Sequence, residues 1–183
     1  MKSKAEVIRE TLAALRVLDI GGLGYGGENA YERELKEAWA QTKLRTTVDR
    51  SEHADLRINL NDLPLPPLDK DRWDITTAFD VLEHLDHPVE ILRWIPTSKA
   101  LISVPNALSA LVRRMEATGY EHLYSFTSYT AGVLLERGGW KVERWDYTFG
   151  KWSLRAQAIN CVGSLWPSRV ATGLMFHCSR KRP

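Results

Sequence analysis

Residues 16–29 read RVLDIGGLGYGGEN, and the fold turns on how that stretch is taken. Val17, Leu18 and Ile20, broken only by Asp19, make a strand-sized apolar run that stops at glycines, as a buried parallel strand does. From Gly22 onward the loop spells G-L-G-Y-G-G, a match to the G-x-G-x-x-G turn that binds dinucleotides. From Asp19 onward it is an acid closing a strand, followed by a looser glycine turn through Gly21, Gly22 and Gly24. The two readings call for different guests.

Charge separates them. A pyrophosphate needs backbone N–H groups and the positive end of a helix, with no carboxylate beside it. Asp19 stands two residues before Gly21, at the mouth of the turn. Two like charges a few ångströms apart in a partly buried site cost on the order of a few kcal/mol. A nucleoside carrying an ammonium and a sulfonium would instead be attracted. In either case Asp49, twenty-two residues beyond Gly27 and followed by Arg50, lies where a ribose-binding acid belongs.

Outward from this loop the chain alternates. Residues 1–15 read as a short opening helix and 27–43 as an amphipathic one, with Leu35, Ala38 and Trp39 on one side. Short β-branched or apolar runs at 44–49, 55–60, 74–79 and 99–105 read as strands, the last halted by Pro105. Residues 87–95 and 126–140 read as helices, and 141–149 and 173–179 as two closing strands. Such alternation predicts an α/β fold with a doubly wound, mostly parallel seven-stranded sheet, an antiparallel last strand and helices on both faces. Ligands in such sheets sit beyond the carboxyl ends of the strands, where Asp19, Asp49, Asp80 and the Val104-Pro105-Asn106 segment fall.

The bulk numbers agree with one globular domain over 1–183, with a basic tail at 179–183. The 183 residues are 44% hydrophobic and 26% charged, which argues against a disordered or fibrous chain. A net charge of +2 gives no electrostatic footprint for nucleic acid. Cys161 and Cys178 have no metal or redox spacing, charges run through the first fifteen residues, and the longest apolar runs are strand-sized. The expectation is a reduced, cytoplasmic protein without a transmembrane segment. The apolar stretch SLWPSRVATGLMF (164–176) suits either a buried last strand or contact with a membrane surface.

Several stretches together resemble the class I S-adenosylmethionine-dependent methyltransferases, in particular the small-molecule branch that includes ubiquinone-pathway enzymes. VLDIGGLGYG (17–26) resembles the family's first motif, TTVD (46–49) its second, and NLNDLPLP (59–66) the segment after strand three. FDVLEHLDHP (79–88), LISVPN (101–106) and EHLYSFTSYTAGVLLERGGWKV (121–142) resemble strands four to six of that branch. The resemblance implies that Asp19, Gly21, Gly22 and Gly24 hold the methionine part of S-adenosylmethionine. It also implies that Asp49 takes the ribose hydroxyls, that Asp62 meets the adenine amino group, and that Leu63 packs on the ring. Here the glycine loop is one residue longer than the usual D-x-G-x-G-x-G, and the N-terminal helix is short.

Asp80, Glu83 and His84 have helical-turn spacing and, with His122, would make a set of two carboxylates and two imidazoles. Some relatives carry an E-x-x-E-H cluster and a later histidine of this kind. The shorter reach of Asp80 favours a metal-free reading, in which the acids and histidines line the donor and acceptor pocket. His84 is then the expected base, with His122 its rival. The function implied is methyl transfer to a small-molecule acceptor (a lipid or sugar alcohol fits the branch), leaving S-adenosylhomocysteine. The alternatives are an NAD-binding oxidoreductase and a catalytically silent methyltransferase-fold binding protein.

Overall fold

The computed structural model describes residues 2–22, 30–119, 122–149 and 171–181. Gly24, the rest of the glycine loop to Asn29, and most of the 150–172 connection lie outside the described residues, as do the last two residues of the tail. Among the described residues eight strands form one sheet: β1 (Lys2–Ser3), β2 (Arg16–Ile20), β3 (Leu44–Asp49), β4 (Leu56–Arg57), β5 (Ile75–Phe79), β6 (Lys99–Pro105), β7 (Trp140–Phe149) and β8 (Gly173–Arg180). Five α-helices accompany them among the described residues: α1 (Lys4–Leu12), α2 (Ala30–Trp39), α3 (Pro88–Trp94), α4 (Ala110–Ala117) and α5 (Ser128–Arg137).

The spatial order is β1-β7-β8-β6-β5-β2-β3-β4. Strands β2, β3, β4, β5 and β6 run parallel, whereas β8 is antiparallel to both β6 and β7. The eighth strand is β1, two residues pairing with the edge of β7 just ahead of α1; two residues carry no alternation, so sequence pattern misses them. The third expected strand, 55–60, shortens to Leu56–Arg57 at the sheet edge, where β3 is its partner.

Two apolar layers sandwich the sheet, as alternation along the strands dictates. On one side Leu18, Ala78, Ile102 and Phe176 pack with Ile91, Leu92, Leu135 and Trp140. On the other Val17, Phe79, Leu101 and Met175 pack with Ile8 and Leu12 of α1 and Leu35 and Trp39 of α2. Local chemistry sets the helix ends. Ser3 and Glu6 form a capping box at the start of α1. Thr127 and Thr130 do the same for α5. Gly139, at φ +86°, turns the chain from α5 into β7.

Helix α4 is an element the periodicity did not announce, since Val112 is its one buried residue. Strand order reverses between β2 and β5, and the carboxyl ends of β2, β3, β5 and β6 open on the same rim. In a doubly wound sheet that crevice is where a ligand binds.

Candidate functional site

A cleft of about 690 Å³ lies at this switch point. Gly21, Asp49, Arg50, Asp80, His84 and His122 line it, together with Ile58, Leu60, Val81 and Leu85 on its apolar walls and the amides of Asn59 and Asn61. Six of the residues marked in the sequence therefore meet in one place. The volume suits a nucleoside-sized ligand.

The turn after β2 shapes the floor. Gly21 has φ +69°, a left-handed value that favours glycine, and its N–H donates to the Val48 carbonyl at 2.7 Å. A Cβ on Gly21 would lie 2.4 Å from a Val81 methyl. Gly22 sits directly over Asp19, where a Cβ would lie 2.1 Å from the carboxylate. Glycine is thus required at both positions, for backbone conformation at the first and for room at both.

Asp19 is not at the lip of the cleft. Its side chain is 1% exposed, beneath Gly22. Its oxygens accept from Thr77 Oγ1 at 2.6 Å and from Arg45 Nε and Nη2 at 2.8 and 2.5 Å. Arg45 Nη2 also donates to the Gly22 carbonyl at 2.6 Å, and the guanidinium stacks on Trp39, 4.3 Å from the ring centroid. Burial pushes the Asp19 carboxyl up, and Arg45 and Thr77 pull it back. The expected direct pull of Asp19 on a cationic guest is corrected accordingly: a carboxylate this deep must be paired within the protein, and the strand alongside supplies the partner. Arg45 was missed because a lone arginine at a strand start reads as a solvated end.

Asp49 closes β3 with its carboxylate at the cleft, one oxygen accepting from the Ser51 N–H at 2.9 Å. The loop after β4 is placed differently from the sequence expectation. Asp62 is exposed and Leu63 is 42% exposed, and neither lines the cleft. Asn59 and Asn61 face it instead, and Asn61 Oδ1 accepts from the Asp86 N–H at 3.1 Å. The family resemblance pointed to the acid and passed over the two amides just before it.

The far end of the cleft carries the ionisable cluster. Asp80 follows β5 at φ +53°, and its N–H donates to the Ser103 carbonyl at 3.0 Å. Its carboxylate accepts from Ser103 Oγ at 2.8 Å and forms an ion pair with the Lys4 ammonium of α1. Burial works to raise the Asp80 carboxyl, but Lys4 and Ser103 outweigh it and hold it below the usual range.

Glu83, in the single turn Leu82–His84, is fully buried. Neither of its carboxylate oxygens has a hydrogen-bond partner among the described residues. Burial first, and then the charge of Asp80, push it well above the ordinary range. The rings of His84 and His122 meet edge to face at 4.9 Å, and His122 Nδ1 lies 3.3 Å from Glu116 Oε1 of α4.

Glu83, His84 and His122 each offer a ligand atom within 4.8 Å of the others. Asp80, the fourth member of the set considered from the sequence, is committed to Lys4 and Ser103. An ammonium on the Asp80 carboxylate repels a divalent ion there, so Asp80 does not complete a four-ligand set with the other three.

The sheet order defines a doubly wound α/β architecture with one antiparallel strand inserted near the end, and the cleft lies at its switch point. Solved structures give the particular kind. An S-adenosylmethionine-dependent methyltransferase from Mesorhizobium loti superposes with TM-score 0.61 at 16% identity, over 96% of this chain and 95% of that one. One from Thermotoga maritima gives 0.63 at 14%, over 98% and 88%. Another, from Aquifex aeolicus, gives 0.62 at 15%, over 98% and 90%. No family model and no curated protein matches the sequence. The chain has the fold of the class I S-adenosylmethionine-dependent methyltransferases. Among the described residues no helix is long and apolar enough to cross a membrane.

Proposed function

We propose that the protein transfers a methyl group from S-adenosylmethionine to a small-molecule acceptor. The observation that carries this reading is the placement of Asp49 and the Gly21 turn on one cleft at the switch point, with an ionisable cluster at its far end. Asp49 would accept from the two ribose hydroxyls. Ile58, Leu60 and Leu85 would flank the adenine, whose polar edge meets the amides of Asn59 and Asn61. The methionine end would lie over Gly21, its ammonium toward the cleft side of Asp80. The antiparallel β8 counts against an NAD-binding oxidoreductase, whose two halves build an all-parallel sheet.

When bound, the donor supplies an activated methyl group on a sulfonium. The residues then have to place the acceptor in line with that carbon, and positioning supplies most of the rate. For an alcohol or phenol acceptor, a proton must leave as the bond forms. His84 is the residue of the pair more open to the cleft, and takes that proton. His122, packed between Glu116 and His84, holds the imidazole in place. A positioned base of this kind contributes about a hundredfold or more. A lipid, sugar or other small alcohol remains the acceptor class proposed.

Calorimetry of S-adenosylhomocysteine against the protein tests the reading. Loss of a pair of charge-assisted hydrogen bonds costs about 3 kcal/mol. Asp49→Ala is therefore expected to weaken binding on the order of a hundredfold. Equal affinity in wild type and variant would remove Asp49 from the donor site, and NADH binding in place of S-adenosylhomocysteine would overturn the whole assignment.

A further inference from the structure

Lys4 is the first residue of α1, and its side chain is 5% exposed. Lysine is almost never buried this far without a partner, and here the partner is Asp80, 76 residues away in the chain. The contact is supported from both sides. Ser103 Oγ holds the second oxygen of Asp80, and the Asp80 backbone adopts φ +53°, a left-handed value uncommon outside glycine. Lys4 also lies 6.0 Å from the centroid of the Phe79 ring. The first turn of α1 is thus tied to a cleft residue by a buried charge.

Beside the Lys4–Asp80 pair, on the same cleft, stand groups able to gather a cation. Glu83 gives a buried carboxylate with no hydrogen-bond partner among the described residues, and His84 and His122 give two imidazoles, the three ligand atoms lying within 4.8 Å of one another. Glu116 adds a further acid behind His122. Magnesium and manganese seek carboxylate oxygens above imidazole nitrogens. Lys4 occupies the more exposed carboxylate, that of Asp80.

We propose that Lys4 is a built-in counter-cation: by pairing with Asp80, its ammonium takes the place of a divalent ion that would otherwise bridge Asp80 to Glu83, His84 and His122. The site then works without a metal. Asp80 stays fixed in orientation at the methionine end of the cleft, and the two imidazoles remain unmetallated. This inference deepens the proposed function and rests on it only for the catalytic consequence; the charge arrangement is independent of which nucleoside binds. Lys4 acts through Asp80 and is a positioning residue.

Titration of manganese into the full chain, followed by calorimetry, tests this. Wild type and Lys4→Arg, which both carry the charge, are expected to show no one-to-one site. Lys4→Ala is expected to gain one that is at least about tenfold tighter, and Lys4→Ala combined with Asp80→Asn to lose it again. Lys4→Met, which removes the charge but keeps the stem packed, gives the same reading if Lys4→Ala does not fold, and circular dichroism reports the fold of each.

A purely structural lysine would cost stability without creating a metal site. The proposal is overturned if wild type binds manganese one-to-one through Asp80, or if neither uncharged variant binds it better than wild type. S-adenosylhomocysteine binding to wild type reads the donor assignment separately, since it needs no metal.

Discussion

Two acids near strand ends, Asp19 as the fourth of five residues of β2 and Asp80 just past β5, are each locked by a cation from elsewhere, and they do different work. Asp19 pairs with Arg45 of the adjacent strand and is 1% exposed. Its hydrogen bonds are complete within the protein, and Gly22 seals it from above. Asp80 pairs with Lys4 from the first helix, yet 39% of its side chain faces the cleft. The first corner holds the glycine turn in shape; the second presents a charge whose orientation is set. A buried ion pair is thus a structural or a functional device according to whether one partner keeps a face toward the ligand.

The sharpest way to break this comparison is to remove the two acids in turn. Asp19→Ala leaves Arg45 without its carboxylate and Thr77 without its acceptor. Losing one partner of a buried pair costs about 3–5 kcal/mol. The low end is expected, because Arg45 is 26% exposed and retains the Gly22 carbonyl and the Trp39 ring. Urea unfolding measures it. Asp80→Asn keeps the volume and the Ser103 contact, and is expected to lose less stability than Asp19→Ala but more donor affinity or turnover. If the two variants lost stability equally and neither altered binding, the division of labour would fail.

Gly22→Ala sharpens the same contrast at smaller cost. The added methyl would sit 2.1 Å from the Asp19 carboxylate, with Arg45 at 2.9 Å, so the turn must move. Overpacking of this kind costs about 1–3 kcal/mol. The shift is expected to appear in S-adenosylhomocysteine affinity as well as in the urea midpoint, because the same turn leads to Gly21 in the cleft.

Much of the architecture could be read beforehand. Short apolar runs stopping at glycine or proline mark buried parallel strands, and Asp49, Asp80, His84 and His122 met where those runs end. The pairing partners could not be read. Lys4 and Asp80 are 76 residues apart, and a lysine opening a helix is ordinarily solvated; nothing local distinguishes it. Arg45 and Glu116 were hidden for the same reason. Asp62 and Asn61 differ by one position in a proline-rich loop, where no periodicity says which side chain turns inward.

Glu83 tests the cluster by pH. Its raised value comes from burial and then from Asp80, so the fold favours the protonated acid. The stability this contributes is fully present below the ordinary glutamate value of 4.5 and declines as pH rises through the higher folded value. Glu83→Gln is neutral at every pH and nearly the same shape. Relative to wild type it is expected to gain stability steadily as pH rises above 4.5, in urea midpoints taken from pH 4 to 9. A constant difference would mean that Glu83 is ionised in the fold and paired by a group outside the described residues.

The smallest effect belongs to a third pair, on the opposite end of the sheet from the cleft. Asp74 accepts from the Arg16 N–H at 2.8 Å and from its guanidinium at 2.7 Å, and these bonds hold its carboxyl down at about 2. Both side chains are more than a third exposed, so water screens the charge and the contribution at neutral pH is small. A depressed carboxylate stabilises above its ordinary value of 3.8 and loses that effect as pH falls toward 2. Asp74→Asn should therefore leave the neutral urea midpoint nearly unchanged, and its small deficit should vanish between pH 4 and 2. The variant also leaves the cleft untouched, so donor affinity should match wild type. If this solvent-facing pair cost as much as the Asp19 corner, exposure would not be what ranks the three ion pairs, and the distinction between Asp19 and Asp80 would need another cause.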